Sequence, residues 1–264
     1  MMVTELERGV LELCRFARDH YPQEQLERAN MALKLDHCLR VFQEAESIAM
    51  EEKLEPDAVR VTLWAALFHD VGRFPQYLAY KTFDDRKSVD HGRLGVRVLK
   101  KHGFLEGLSA QTQKAVRTAI ILHNKRFLSA SLPEWAAVPA RVVRDADKLD
   151  IYKILLQHLR PDAANNPVVT MDLRDEPEVY NEELVRQILD GELGDYSRMQ
   201  TLNDFRLLLC SWVYDLNFSA TKKAVIQRGY LDELLSGLPD TPRIRQVRKT
   251  VLARVREYAT EPLN

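Results

Sequence analysis

Helical periodicity runs through nearly the whole of this chain. Apolar residues recur about every 3.6 positions in almost every long segment, and no segment keeps the strict alternation of a half-buried strand. The fold class that follows is all-α, with each helix burying one stripe. A first helix is expected over roughly Thr4 to His20, ending before Tyr21-Pro22. A second runs from about Asn30 to Lys53, with Leu35, Cys38, Leu39, Phe42 and Ala49 as its stripe, and a third opens at Pro56-Asp57. Ser88 is placed to cap a helix that reaches Lys101 and closes at Gly103, and Ser109 to cap one through His123. Pro133 to Leu159 reads as a long helix, bent or restarted at Pro139. Helices near Glu178 to Leu189, Met199 to Leu216 and Pro242 to Ala259 complete the pattern.

Two stretches lack a clean period. RFPQYLAYKTFDDRK, after the third helix, reads as a loop over a site, and RPDAANNPVVTMDLRDEP, rich in Pro, Asn and Asp, reads as a linker. The linker divides the chain into residues 1–160, a helical core with its N-terminal helix, and 161–264, a C-terminal helical extension packed on it. A chain of 264 residues with 45% hydrophobic content can bury a large core. Its formal net charge of −1 gives no overall pull toward nucleic acid or anionic membrane. The opening MMVTELERGV lacks the basic and apolar regions of a signal peptide, and no later window suits a bilayer span, so a soluble, cytoplasmic protein is expected. Cys14, Cys38 and Cys210 are widely spaced and odd in number, and read as reduced, mostly buried thiols.

The third helix ends in ALFHDVGR, Ala66 to Arg73, on an adjacent His and Asp. Counting back from Asp70, Leu67, Ala66, Leu63 and Val59 share its face, so the carboxylate continues a core-facing stripe. A lone buried charge is costly unless it is paired or holds a metal. Gly72 reads as the C′ residue, which puts His69 and Asp70 in a last turn whose free carbonyls favour a cation. Four more ligand-type side chains fall on apolar faces. His91 lines up with Leu94, Gly95 and Val98; His123 continues Val116, Ala119 and Ile120; Asp147 sits between Val143 and Ile151; His37 lies between Leu33 and Val41. Gly95 would let its helix approach a neighbour closely.

Singly, a histidine on an apolar face is more often a hydrogen-bonded core residue. Six such side chains together need either six separate solutions or one or two shared divalent ions. Imidazole and carboxylate without thiolate suit Mn²⁺, Fe²⁺, Co²⁺ or Zn²⁺, and Mg²⁺ less well among so many nitrogens. Six ligands exceed one tetrahedral site and suit two ions bridged by Asp70. His20, His102 and His158 lie near helix ends and read as structural or exposed.

The ordered set His37, His69-Asp70 in LFHDVGR and Asp147 in RDADKLD resembles the H…HD…D signature of the HD-domain superfamily of metal-dependent phosphohydrolases, over about residues 30 to 155. His91 in SVDHGRLG and His123 in IILHNKR are similar to the two extra histidines of its binuclear subgroup, which includes HD-GYP phosphodiesterases and a few di-iron oxygenases. The chain departs from HD-GYP proteins at Asn124, where they carry a second His, at FLSASLPEW, which replaces GYP, and at Arg73, which replaces their usual Lys. Cyclic-dinucleotide hydrolysis is therefore not favoured. The resemblance implies an HD-domain helical bundle, two divalent ions and hydrolysis of a phosphoester by a metal-activated hydroxide. The expected partner is a nucleotide or similar small phosphorylated substrate.

On that reading His37, His69, Asp70 and Asp147 hold one ion, and Asp70, His91 and His123 the other. Asp70, Arg73 and Lys148 are the candidate catalytic residues. Arg73, Lys125, Arg144 and Lys148 are candidate phosphate clamps, each equally readable as solvated surface charge. Asp150 reads as an acceptor that orients a ligand His, or as a partner of Lys148 or Arg144. The same ligand set suits a di-iron oxygenase, and a nucleotide-binding regulatory module without turnover is a third reading. The helix RIRQVRKTVLARVREY carries a basic face that reads as solvated rather than as a nucleic-acid surface. LLLCSWVYDLNF suits either core or a homodimer face.

Overall fold

The computed structural model of the chain describes residues 4–160 and 166–260. Among them every regular element is a helix, and the extended pairing is a single isolated bridge between Arg174 and Thr201. The fold is all-α. Contacts divide the chain into one unit ending at Asp150 and another beginning at Ile151, with the boundary inside one long helix.

The first unit holds α1 (Glu5–Asp19), α2 (Gln25–Glu51), α3 (Pro56–Phe68), α4 (Arg73–Tyr80), α5 (His91–His102), α6 (Ala110–His123) and the first part of α7 (Glu134–His158). α3 is its axis: α1, α2 and α6 pack around it, and every residue from Val61 to Phe68 is buried. A helix enclosed on all sides is apolar all round rather than striped. Its C-terminal end therefore delivers His69 and Asp70 into the interior.

Local side chains set the helix starts. Thr4 and Glu7 form a capping box on α1, and the Glu24 carboxylate accepts from the backbone of Leu26 and Glu27, so α2 starts earlier than its apolar stripe suggested. Ser109 caps α6, and Gly103 closes α5 at φ 67°, both as expected. The start of α5 differs: Asp90 accepts from Arg93 N–H, while the Ser88 hydroxyl bonds to Asp84 O. α7 is continuous through Pro139, so the helix does not restart there.

Two expectations around residue 72 are corrected. The segment after α3 is not a loop throughout, because Arg73–Tyr80 form α4, which turns Phe74, Gln76 and Tyr77 inward at helical spacing. Gly72 is not a left-handed C′ residue, having φ −67°. It is glycine because a Cβ there would stand 2.2 Å from His91 O and 2.6 Å from Gly95 N. At Gly95 itself an added Cβ meets only ordinary contacts, at 3.4 Å and beyond.

The second unit contains the rest of α7, then α8 (Pro167–Thr170), α9 (Glu182–Leu189), α10 (Leu202–Ser211), α11 (Ser219–Gln227), α12 (Tyr230–Ser236) and α13 (Pro242–Thr260). α9 packs on α10 and α13, and α12 on α10. Leu207 to Ser211 are buried throughout, so this part of LLLCSWVYDLNF is core. α11 and α12, separated by Gly229 at φ 66°, have too few turns to show a period in sequence. On α13, Ile244, Val247, Val251 and Tyr258 are buried, while Arg243, Arg245 and Arg254 pair with Glu182, Asp240 and Glu257. In the expected linker, residues 161–165 lie outside the described residues, and the remainder carries α8 and the Arg174 bridge. Cys14, Cys38 and Cys210 are free thiols. Among the described residues no helix is long and apolar enough to cross a membrane.

Candidate metal centre

Five helices of the first unit bring the six candidate ligands together. α2 supplies His37 from its middle, α3 runs into His69 and Asp70, α5 begins at His91, α6 ends at His123, and α7 contributes Asp147. His37, His69, Asp70, His91 and His123 are all buried.

The orientation of the imidazoles follows from their outer nitrogens. His69 Nδ1 and His123 Nδ1 donate to the carbonyls of Ala66 and Ile120, three residues earlier on their own helices, at 2.8 and 2.6 Å. His37 Nδ1 donates to Asp150 Oδ2 and His91 Nδ1 to Asp85 Oδ2, both at 2.7 Å. With every Nδ1 committed outward, the four Nε2 atoms point inward, and in a neutral imidazole that nitrogen keeps the lone pair that ligation requires. They meet in two pairs, His37 with His69 at 3.2 Å and His91 with His123 at 3.0 Å.

Asp70 lies between the pairs. Its Oδ2 faces His37 Nε2 at 3.6 Å and His69 Nε2 at 3.8 Å, and its Oδ1 faces His91 Nε2 at 3.3 Å and His123 Nε2 at 3.9 Å. Asp147 Oδ1 stands 3.1 Å from His37 Nε2 and 3.8 Å from His69 Nε2.

These residues fit divalent ions. Asp147 Oδ1 is buried without a hydrogen-bond partner, although it stands 3.1 Å from His37 Nε2. Ring nitrogens also face one another within each imidazole pair, and a cation between them would be bound by both. Three overlapping groups have one ligand atom per residue within 4.8 Å of one another: His37, His69 and Asp70; His69, His123 and Asp147; Asp70, His91 and His123.

Electrostatics set the protonation states. Burial pushes His69 down, burial and the Arg73 guanidinium lower His91, and burial beside His91 and His69 takes His123 down to about 3. Burial works against ionised Asp70, but Lys34, Arg73, His69 and His91 outweigh it and hold its carboxyl well below the usual range. Asp147 is likewise lowered, by His37 and His69 against burial. Three neutral imidazoles and two ionised carboxylates are the forms that bind metal. His37 is the exception: burial and Lys34 lower it, yet contacts with Asp147 and Asp150 leave it raised, so its surroundings favour positive charge.

The surrounding residues hold this arrangement. Asp150, expected as an acceptor for a ligand His, binds His37 and also pairs with Arg40 Nε at 2.5 Å. Asp85 was missed by sequence reading, because it sits in the stretch taken for a loop. It binds His91, Arg73 Nη1 at 2.8 Å and Gln76 Nε2 at 2.9 Å. Lys34 was also missed, though it lies three residues before His37 and so on the same face of α2. Its Nζ is 3.1 Å from Asp70 Oδ2.

The expected phosphate clamps make protein contacts. Arg73 Nε bonds Asp70 Oδ1 at 3.3 Å, and its Nη1 bonds Gln76, Phe83 O and Asp85. Arg144 Nη1 donates to the carbonyls of His123 and Lys125 beyond the end of α6. Lys125 pairs with Asp90, and Lys148 is buried.

Residues 35–152 match the family described as HD domain, a span that takes in all six candidate ligands. Comparison with curated proteins and with solved structures gives no match. The enclosed helix ending in His69-Asp70, the converging histidines and this match agree, and residues 35–152 of the chain are an HD domain.

Proposed function

We propose that this protein is a metal-dependent phosphohydrolase that cleaves a phosphoester of a nucleotide or similar small phosphorylated substrate. The observation that carries the reading is the division of Asp70, one carboxylate oxygen toward each pair of imidazoles. His37, His69, Asp147 and Asp70 Oδ2 would hold one ion, and His91, His123 and Asp70 Oδ1 the second. When bound, two such ions, of Mn, Fe, Co or Zn, would supply Lewis acidity there, offsetting phosphoryl charge and lowering the pKa of water. The chain's own groups fix that chemistry in place. Asp150 and Asp85 orient His37 and His91 and raise their basicity. Arg73 ties Asp70 to Asp85 and so acts as a positioning residue rather than a free clamp. Catalysis then rests on charge placed before the substrate arrives.

The test is metal analysis of the purified protein coupled to a screen of nucleotides, cyclic dinucleotides and simple phosphoesters with Mn²⁺ and Fe²⁺ supplied. Bound metal with release of phosphate or alcohol is expected. Bound iron with substrate-dependent O₂ uptake and no phosphoester cleaved would replace the reading with an oxygenase. Nucleotide binding without turnover would make the protein a regulatory module.

A further inference from the structure

Asp70 is the most widely shared group in the centre, and one of its partners cannot be a ligand. The Lys34 ammonium stands 3.1 Å from Asp70 Oδ2, the oxygen that also faces His37 and His69. An ion held by those imidazoles needs the same oxygen. Two cations on one buried oxygen repel each other, and of the two basic side chains on Asp70, Lys34 is held by fewer contacts than Arg73.

Lysine is built to yield. It carries a point charge on a flexible stem, and besides Asp70 its ammonium lies over the Phe83 ring, 5.2 Å from the centroid. Arg73, on the Oδ1 side, is fixed by Gln76, Phe83 O and Asp85 as well as by Asp70.

Partial exposure gives a displaced ammonium room to move toward solvent. The side chains of Lys34 and Asp147 are 20% and 19% exposed, whereas no imidazole of the centre exceeds 7%. A phosphate that reaches the Oδ2 side of Asp70 from the edge where Lys34 and Asp147 are exposed meets the Lys34 ammonium. The ammonium then exchanges one anionic oxygen for another, with three donors suited to phosphate.

We propose that Lys34 is the phosphate-binding residue of this centre, parked on Asp70 until an ion takes its place. The phosphate role rests on the phosphohydrolase reading, whereas the competition with metal does not.

Calorimetric titration of the full-length metal-free protein with Mn²⁺, followed by titration of the loaded protein with inorganic phosphate, tests it. Lys34→Gln is expected to bind the first Mn²⁺ about tenfold more tightly and phosphate about tenfold more weakly, and Lys34→Arg to recover part of the phosphate affinity. Lys34→Met keeps the length of the side chain and serves as the second variant if Lys34→Gln does not fold. Unchanged or weaker Mn²⁺ binding in both overturns the proposal, because the ammonium would then support Asp70 rather than compete for it. Phosphate bound equally by wild type and variants overturns it too, leaving the phosphohydrolase reading intact. Tighter Mn²⁺ binding by the variants together with no phosphate bound by loaded wild type removes both the phosphate role and the phosphohydrolase reading.

Discussion

The two sides of Asp70 share a plan and differ in charge. Each has one imidazole backed by a carboxylate and one backed by a carbonyl of its own helix: His37 with Asp150 and His69 with Ala66 on one side, His91 with Asp85 and His123 with Ile120 on the other. The Oδ2 side adds Asp147, and its resident cation, Lys34, can swing away. Among the described residues the Oδ1 side groups only Asp70 with His91 and His123, and its cation, Arg73, is tied down. Geometry of one design can therefore hold ions of unequal affinity, since attraction follows the charges and not the layout. The Oδ2 side is expected to fill first and empty last.

Asp70→Ala breaks the comparison at its root. Metal analysis should find both ions lost, and any phosphoesterase activity should fall by about a thousandfold or more. One ion retained at full affinity would show that the two sides do not share this carboxylate. Asp147→Asn should act on one side only, weakening the tighter ion by about 10–100-fold and bringing the two binding steps closer in a Mn²⁺ titration. Asp150→Asn and Asp85→Asn sharpen the contrast: each should weaken one step by about tenfold, the tighter for Asp150 and the looser for Asp85. Graded chelation of the wild type should remove metal in two stages, and a single stage would mean that the charge difference is immaterial. The smallest effect is expected from Gly72→Ala, whose Cβ would meet His91 O. It should cost about 1–3 kcal/mol in denaturant unfolding and loosen the second ion alone.

The six candidate ligands were legible because each interrupts an apolar helical face, a pattern written in local spacing. Lys34 and Asp85 were not, for different reasons. Lys34 shares a face with His37, but a lysine is ordinarily at the surface, and only the approach of Asp70 from another helix gives it a partner. Asp85 lies between α4 and α5, where its conformation is set by Arg73, Gln76 and His91 rather than by period. Gly72 shows a further ambiguity: a glycine after a helix can answer to a positive φ or to crowding, and the sequence writes both with one letter. The charges near the motifs carry no such signal in sequence, and the structure gives Arg144 and Lys125 acceptors within the protein.

The enclosure of α3 makes it a ruler. With Val61 to Phe68 gripped on every side, the helix cannot slide or turn to absorb a change of length. Inserting or deleting one residue after Trp64 would rotate Asp70 by about 100° and shift it by about 1.5 Å, taking the carboxylate off the line between the imidazole pairs. The distance in residues from the packed middle of α3 to Asp70 thus fixes where the carboxylate stands between the imidazole pairs, and a length change there should abolish metal binding even if every ligand is kept.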